Sequence, residues 1–184
     1  MYKICKTEQS SARQKYLEQG LLQAMCNRQY DEISISELCE RIGIPRKSFY
    51  RYFSSKDGAL LALLDHTLME FIQSGTRLAR RGDAREDLER FFVFWYERRD
   101  LLDALERSRL SGMLVERATA YALQERMMPR YLLQRPETVQ SLALTFAVCG
   151  LLSMVIQWHH QGYRENPETM AQVASMMLTQ PLLG

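Results

Sequence analysis

Two short segments with helical apolar spacing, joined at a single glycine between Ser34 and Lys56, constrain this chain more than any other feature. Ser34-Ile35-Ser36-Glu37 fits a capping box, in which a Ser oxygen takes free amide hydrogens while a Glu three residues on reaches back. The helix so started is expected to end at Ile42, because Gly43 suits the left-handed turn that must follow. Pro45 sits where a missing N–H costs nothing, which predicts a second helix from there through Phe53. Leu38, Ile42, Ile44, Phe49 and Tyr52 fall at spacings that fill the space between two crossed helices. Cys39 is small where the two should come closest. A pair this short buries no stable core alone, so it needs helices before and after it.

The rest of the chain supplies them. Over 184 residues there are only nine Gly and five Pro, so long helices with short turns are expected. Apolar Leu17, Leu21, Ala24 and Met25 predict a first helix over 10–28, closed by Asn27-Arg28-Gln29. After the central pair, helices are predicted near 56–79, 84–97, 99–109, 113–128 and 136–161, and from 167 to a point before Pro181. No segment reads as strand. The expected fold class is therefore all-α, with a head over 1–60 and a helical body over 61–184.

Charge sharpens the reading of the head. The net charge of +2 excludes little, but residues 1–60 are net positive and residues 61–184 slightly negative. Arg46, Lys47, Arg51 and Lys56 follow Gly43 with no acid among them. The second short helix, facing outward, would offer Arg46, Lys47, Ser48, Tyr50 and Arg51 to a major groove. Arg and Lys can donate to guanine N7 and O6, and Ser and Tyr hydroxyls can reach phosphates. A solvated charged face is the bland reading of each residue taken singly. The turn and the cations taken together favour double-stranded DNA.

From Ile33 to Cys39 and from Phe49 to Lys56, the last reading F-Y-R-Y-F-S-S-K, the chain resembles the helix-turn-helix of the TetR family of transcriptional regulators. The resemblance implies a three-helix DNA-binding head, a linking fourth helix, and a body that dimerises and often binds a small effector. By position it implies base contacts from Ser36, Arg46, Lys47 and Tyr50, and phosphate contacts from Ser48, Arg51, Tyr52 and Lys56. Ser34 would stand at the amino end of the second helix. Asp57-Gly58-Ala59 makes the link to the next leucine one residue longer than usual. A looser similarity, from Gly150 to Trp158 and from Asn166 to Ala171, is to the subgroup of dihydroxyacetone-kinase activators.

In the body, Phe91, Phe92, Phe94, Trp95 and Tyr96 cover more than one helical face. Core packing is favoured, while Phe71, Phe91, Trp95, Phe146 and Met154 could line an apolar effector pocket. Pairing of two copies is expected through helices at 138–161 and 167–179, where Ala143, Ala147, Gly150, Ala171, Ala174 and Ser175 allow close approach. A body that binds a protein partner instead of a small ligand is the alternative. The four cysteines lack paired spacing, and adjacent His159 and His160 point about 100° apart on a helix, so no metal or other cofactor is expected. No phosphate loop or placed nucleophile suggests an enzyme. Leu142 to Trp158 is apolar but interrupted, and is expected as a buried helix and not a membrane span. A cytoplasmic regulator fits these readings.

Overall fold

The computed structural model describes residues 1–5, 7–76, 84–127 and 132–179. They form helices α1 (Glu8–Met25), α2 (Ile35–Arg41), α3 (Arg46–Tyr50), α4 (Lys56–Thr76), α5 (Ala84–Glu97), α6 (Arg99–Arg107), α7 (Ser111–Gln124), α8 (Glu137–His160) and α9 (Pro167–Thr179). The fold is all-α, as expected. The predicted helix ends at 77–79 and 128 lie outside the described residues. The chain divides into two compact units, Met1–Thr67 with Asp103–Leu110, and Leu68–Leu102 with Ser111–Gly184.

In the first unit α1 begins earlier than its apolar spacing indicates, because Thr7 and Ser10 build a second capping box at its start. Leu17, Leu21 and Met25 are fully buried on its inner face. Gly20 is where α1 meets the end of α2: a Cβ there would stand 2.6 Å from Ile42 Cγ2. The second half of α6 and the turn after it, Asp103–Leu110, belong to this unit, an attachment without a sequence signal. Arg107 Nη1 donates to the Cys26 carbonyl at 2.7 Å, and the Tyr30 amide donates to Ser108 Oγ at 3.0 Å.

Two expectations for the head need correction. The second short helix stops at Tyr50, three residues before Phe53, and Pro45 is its cap and not its first residue. The backbone of 52–54 is engaged elsewhere: Phe53 forms an antiparallel bridge with Tyr2, and the Lys3 amide donates to Tyr52 O at 2.9 Å. That isolated bridge is the one extended pairing among the described residues.

In the second unit α5 packs on α9 and α7 on α8. Phe92, Phe94, Trp95 and Trp158 are buried, and the Trp158 indole donates to Glu165 O at 2.9 Å. Arg98 lies 3.6 Å from the Phe94 ring centre and reaches Glu70 at 3.3 Å. Helix α8 is not the buried helix expected. It is long and apolar enough to cross a membrane by length and composition, yet only 17% of its most apolar stretch is buried. Leu144, Leu152, Val155 and Trp158 point inward, while Val139, Leu142 and Phe146 are 45%, 66% and 68% exposed. Packing against α7 covers one face and leaves the other open.

Candidate nucleic-acid interface

The interface is built on the cap of α2. The Glu37 amide donates to Ser34 Oγ at 3.2 Å, and the Ser34 amide and hydroxyl donate to Glu37 Oε2 at 3.2 and 2.8 Å. These bonds from Ser34, with Arg28 3.5 Å away, hold the Glu37 carboxyl below the usual range. At the other end Gly43 has φ +67, and the Ile44 amide donates to Cys39 O at 2.9 Å, closing the turn. Cys39 and Phe49 are buried where α2 and α3 meet, and burial pushes the Cys39 thiol up.

With Phe49 turned inward, a five-residue helix has to turn its other positions out. Arg46, Lys47, Tyr50 and Arg51 are exposed, and Ser48 and Tyr52 half-buried at the edges. Arg46 lies 5.9 Å from the Tyr50 ring centre, with Nη2 3.5 Å from its hydroxyl, so the two side chains lean on each other. Ser34 and Ser36 are exposed on α2. Lys56 does not stand free: its ammonium donates to the Tyr30 and Ile33 carbonyls at 2.6 and 2.8 Å. Tyr30 in turn donates to Asp57 Oδ1 at 2.6 Å. Burial first, then Asp57, pushes its phenol far above the ordinary range.

The sequence reading missed the arm that precedes α1. Met1 O accepts from the Ser54 amide and hydroxyl at 3.1 and 2.7 Å, and Tyr2 donates to Asp65 Oδ2 at 2.6 Å. Gly58 makes this possible, since a Cβ there would stand 2.5 Å from Met1 O. The arm and α1 flank an open groove in which Lys3, Arg13 and Tyr16 join Arg51 and Tyr52. The only sequence trace of it is Arg13 and Tyr16, three apart and so on one helical face.

Residues 25–63, which span α2, the turn, α3 and the start of α4, match the sequence profile of the bacterial regulatory proteins of the tetR family. The chain carries the TetR-family head. No curated protein matches the chain in sequence. Among solved structures, the fatty acid degradation regulator FadR from Bacillus halodurans superposes with a TM-score of 0.67 at 13% identity, covering 98% of this chain and 99% of that one. The dihydroxyacetone kinase operon activator DhaS gives 0.59 at 14% identity over 90% and 93%. FadR from Bacillus subtilis in complex with stearoyl-CoA gives 0.58 at 11% over 90% and 97%. The whole chain thus has the TetR fold. Its head is that of a DNA-binding regulator.

In the second unit of this TetR-type chain, α4, α5, α7, α8 and α9 wall a cavity of about 380 Å³. Phe71, Phe91 and Trp95 line it together, with the Phe71 and Phe91 ring centres 5.6 Å apart. Phe146 and Met154 do not line it. Along α8 the lining falls at Leu144, Ala147, Val148, Leu151 and Leu152. Phe146, two positions from Leu144, points to the opposite side, and Met154 lies beyond the last lining residue. The small residues expected at a dimer contact also divide. Ala147 faces the cavity, and Ala171 and Ala174 are buried within the chain, where α9 packs on α5. Gly150 is exposed, with Ala143 and Ser175 half-buried.

Proposed function

We propose that this chain reads a near-palindromic operator as a homodimer, and that a small, mostly apolar effector alters its affinity for DNA. The observation that carries the reading is the outward set Arg46, Lys47 and Tyr50 on α3 and Arg51 at its carboxy-terminal cap, free of acids and fixed by the buried Phe49. In this reading Arg46, Lys47, Tyr50 and Ser36 meet base edges. Ser48, Arg51 and Tyr52 meet phosphates, and Lys3 and Arg13 extend that phosphate surface along the groove. One short helix discriminates poorly. Two related by a two-fold axis read half-sites about one helical turn, roughly 34–36 Å, apart.

A second copy is the occupant assigned to the open face of α8. The stripe Val139, Leu142, Phe146, Gly150, Ser153 and Gln157 recurs every three or four residues. Its polar second half suits a protein partner better than lipid, where unpaired Ser and Gln side chains would be costly. Val173, Met176 and Leu178 add exposed apolar surface on α9. The cavity of the body takes the effector, which shifts the population of DNA-competent dimers by binding one form better than the other. FadR from Bacillus subtilis, solved with stearoyl-CoA, is a precedent within this fold for a ligand that carries a long acyl chain.

Selection of bound fragments from the source genome tests the proposal. An inverted repeat with a defined half-site spacing is expected, with affinity falling steeply as salt rises. Recovery of fragments with no shared sequence would overturn the operator reading.

A further inference from the structure

We infer that the arm before α1 enters the minor groove just outside each half-site, where Lys3 favours A·T pairs. This rests on the operator reading above and adds to α3 a second element that senses sequence. Lys3, Arg13 and Arg51 converge on the open groove between the arm and α1, and no carboxylate lines it among the described residues. Arg13 lies 5.5 Å from the centre of the Tyr16 ring, and Lys3 and Arg51 are exposed. The groove opens beside α3 and not on its reading face. Arg51 and Tyr52, assigned to phosphates, line it, whereas Arg46, Lys47 and Tyr50 do not. In B-DNA a row of phosphates is the wall between the major groove and the neighbouring minor groove. With α3 in the major groove and Arg51 and Tyr52 on that wall, the arm stands on its minor-groove side.

The backbone of the arm is fixed before DNA arrives. The Lys3 amide donates to Tyr52 O at 2.9 Å, Met1 O accepts from the Ser54 amide, and Tyr2 donates to Asp65, which is buried. The ordering cost that a loose arm would bring to binding is thus already met by the fold. Lys3 and Ile4 are left outward, the latter 81% exposed. Proteins that enter a minor groove insert basic and apolar side chains of this kind. The preference follows from donors and acceptors. An ammonium only donates. A·T pairs offer only acceptors in the minor groove, adenine N3 and thymine O2, whereas guanine adds an amino group that also donates. Runs of A·T narrow the groove and deepen its negative potential. A cation there stands between two rows of phosphates, so Lys3 keeps its phosphate role and gains a base contact.

Three versions of the selected operator test this, identical in their half-sites and differing only in the base pairs just outside them: A·T, G·C or inosine·C. Inosine keeps the major-groove N7 and O6 of guanine and lacks its minor-groove amino group. Fluorescence anisotropy with the full-length protein at fixed salt gives the affinities. The A·T and inosine·C flanks should bind alike, and the G·C flank about three- to tenfold more weakly, the size of one net hydrogen bond. Lys3→Ala should level the three flanks while leaving discrimination within the half-sites unchanged. Equal binding of all three flanks by the wild-type protein, inosine·C as weak as G·C, or a flank preference that survives Lys3→Ala overturns the inference. So does a lower salt slope in Lys3→Ala with no flank preference to lose, which keeps Lys3 on phosphates alone. Each of these results leaves the operator reading in place. That reading fails separately, when changes within the half-sites do not alter binding.

Discussion

The ammonium of Lys56 lies 4.1 Å from the centre of the Tyr30 ring and donates to the Tyr30 carbonyl, joining the first residue of α4 to the turn that leads into α2. With Ile33 O as a second acceptor, two of its three donors serve the fold. Lys56→Ala should therefore cost stability, on the order of 2–3 kcal/mol for two charge-assisted bonds to a half-buried site. Thermal unfolding measures it. An unchanged midpoint with a salt slope reduced by about one unit would return Lys56 to the phosphate role that the family resemblance implies.

Arg46→Ala should change which bases are preferred, because a guanidinium in the groove donates to particular base edges. Loss of one bidentate contact is worth about 1–3 kcal/mol at that position. Arg51→Ala should instead weaken all duplexes alike and flatten the salt dependence. Binding to a randomised operator library separates the two. Identical profiles for both variants would contradict the division of labour.

Gly58→Ala should destabilise the head although alanine is the better helix former. The gain of about 1 kcal/mol in propensity is set against overpacking of about 1–3 kcal/mol on Met1 O, which stands 2.5 Å from the new Cβ. Removing residues 1–3 should reverse the sign, so that alanine stabilises the shortened chain. A double-mutant cycle by denaturant unfolding that gives additive effects would rule out this contact.

Two groups give the head opposite pH limits. Glu37 is held below its ordinary value, so its stabilising charge is complete above about pH 4.3 and is lost as pH falls through the lowered value. Tyr30 is raised, so its contribution is complete below about pH 10 and declines as pH rises beyond it. Glu37→Gln should flatten the acid limb and Tyr30→Phe the alkaline one, each read from unfolding midpoints across pH. Ser34→Ala should cost about 1 kcal/mol through loss of the cap.

Phe146→Glu should dissociate the dimer without unfolding the chain, because this ring is 68% exposed and belongs to no internal packing layer of the cavity. Sedimentation at micromolar concentration should then give the mass of one chain. A wild-type protein already monomeric under those conditions would leave the α8 face without its assigned occupant.

Local chemistry determined much of this molecule from sequence alone. The Ser34–Glu37 box, the positive φ of Gly43 and the burial of Leu38, Cys39 and Phe49 all follow from residues within a few positions of one another. The outward cations of α3 then follow from helical geometry. What depends on distant partners was not legible. Tyr2 ends α3 early by pairing with Phe53, Met1 requires a glycine at position 58, and Lys56 is drawn into backbone carbonyls 23 and 26 residues away. The body shows the same limit. Apolar residues on α8 and α9 suit a core, a cavity and a partner equally well, since burial has no direction in the sequence. Only packing decided that Ala171 and Ala174 go inside, Ala147 faces the cavity and Phe146 faces out.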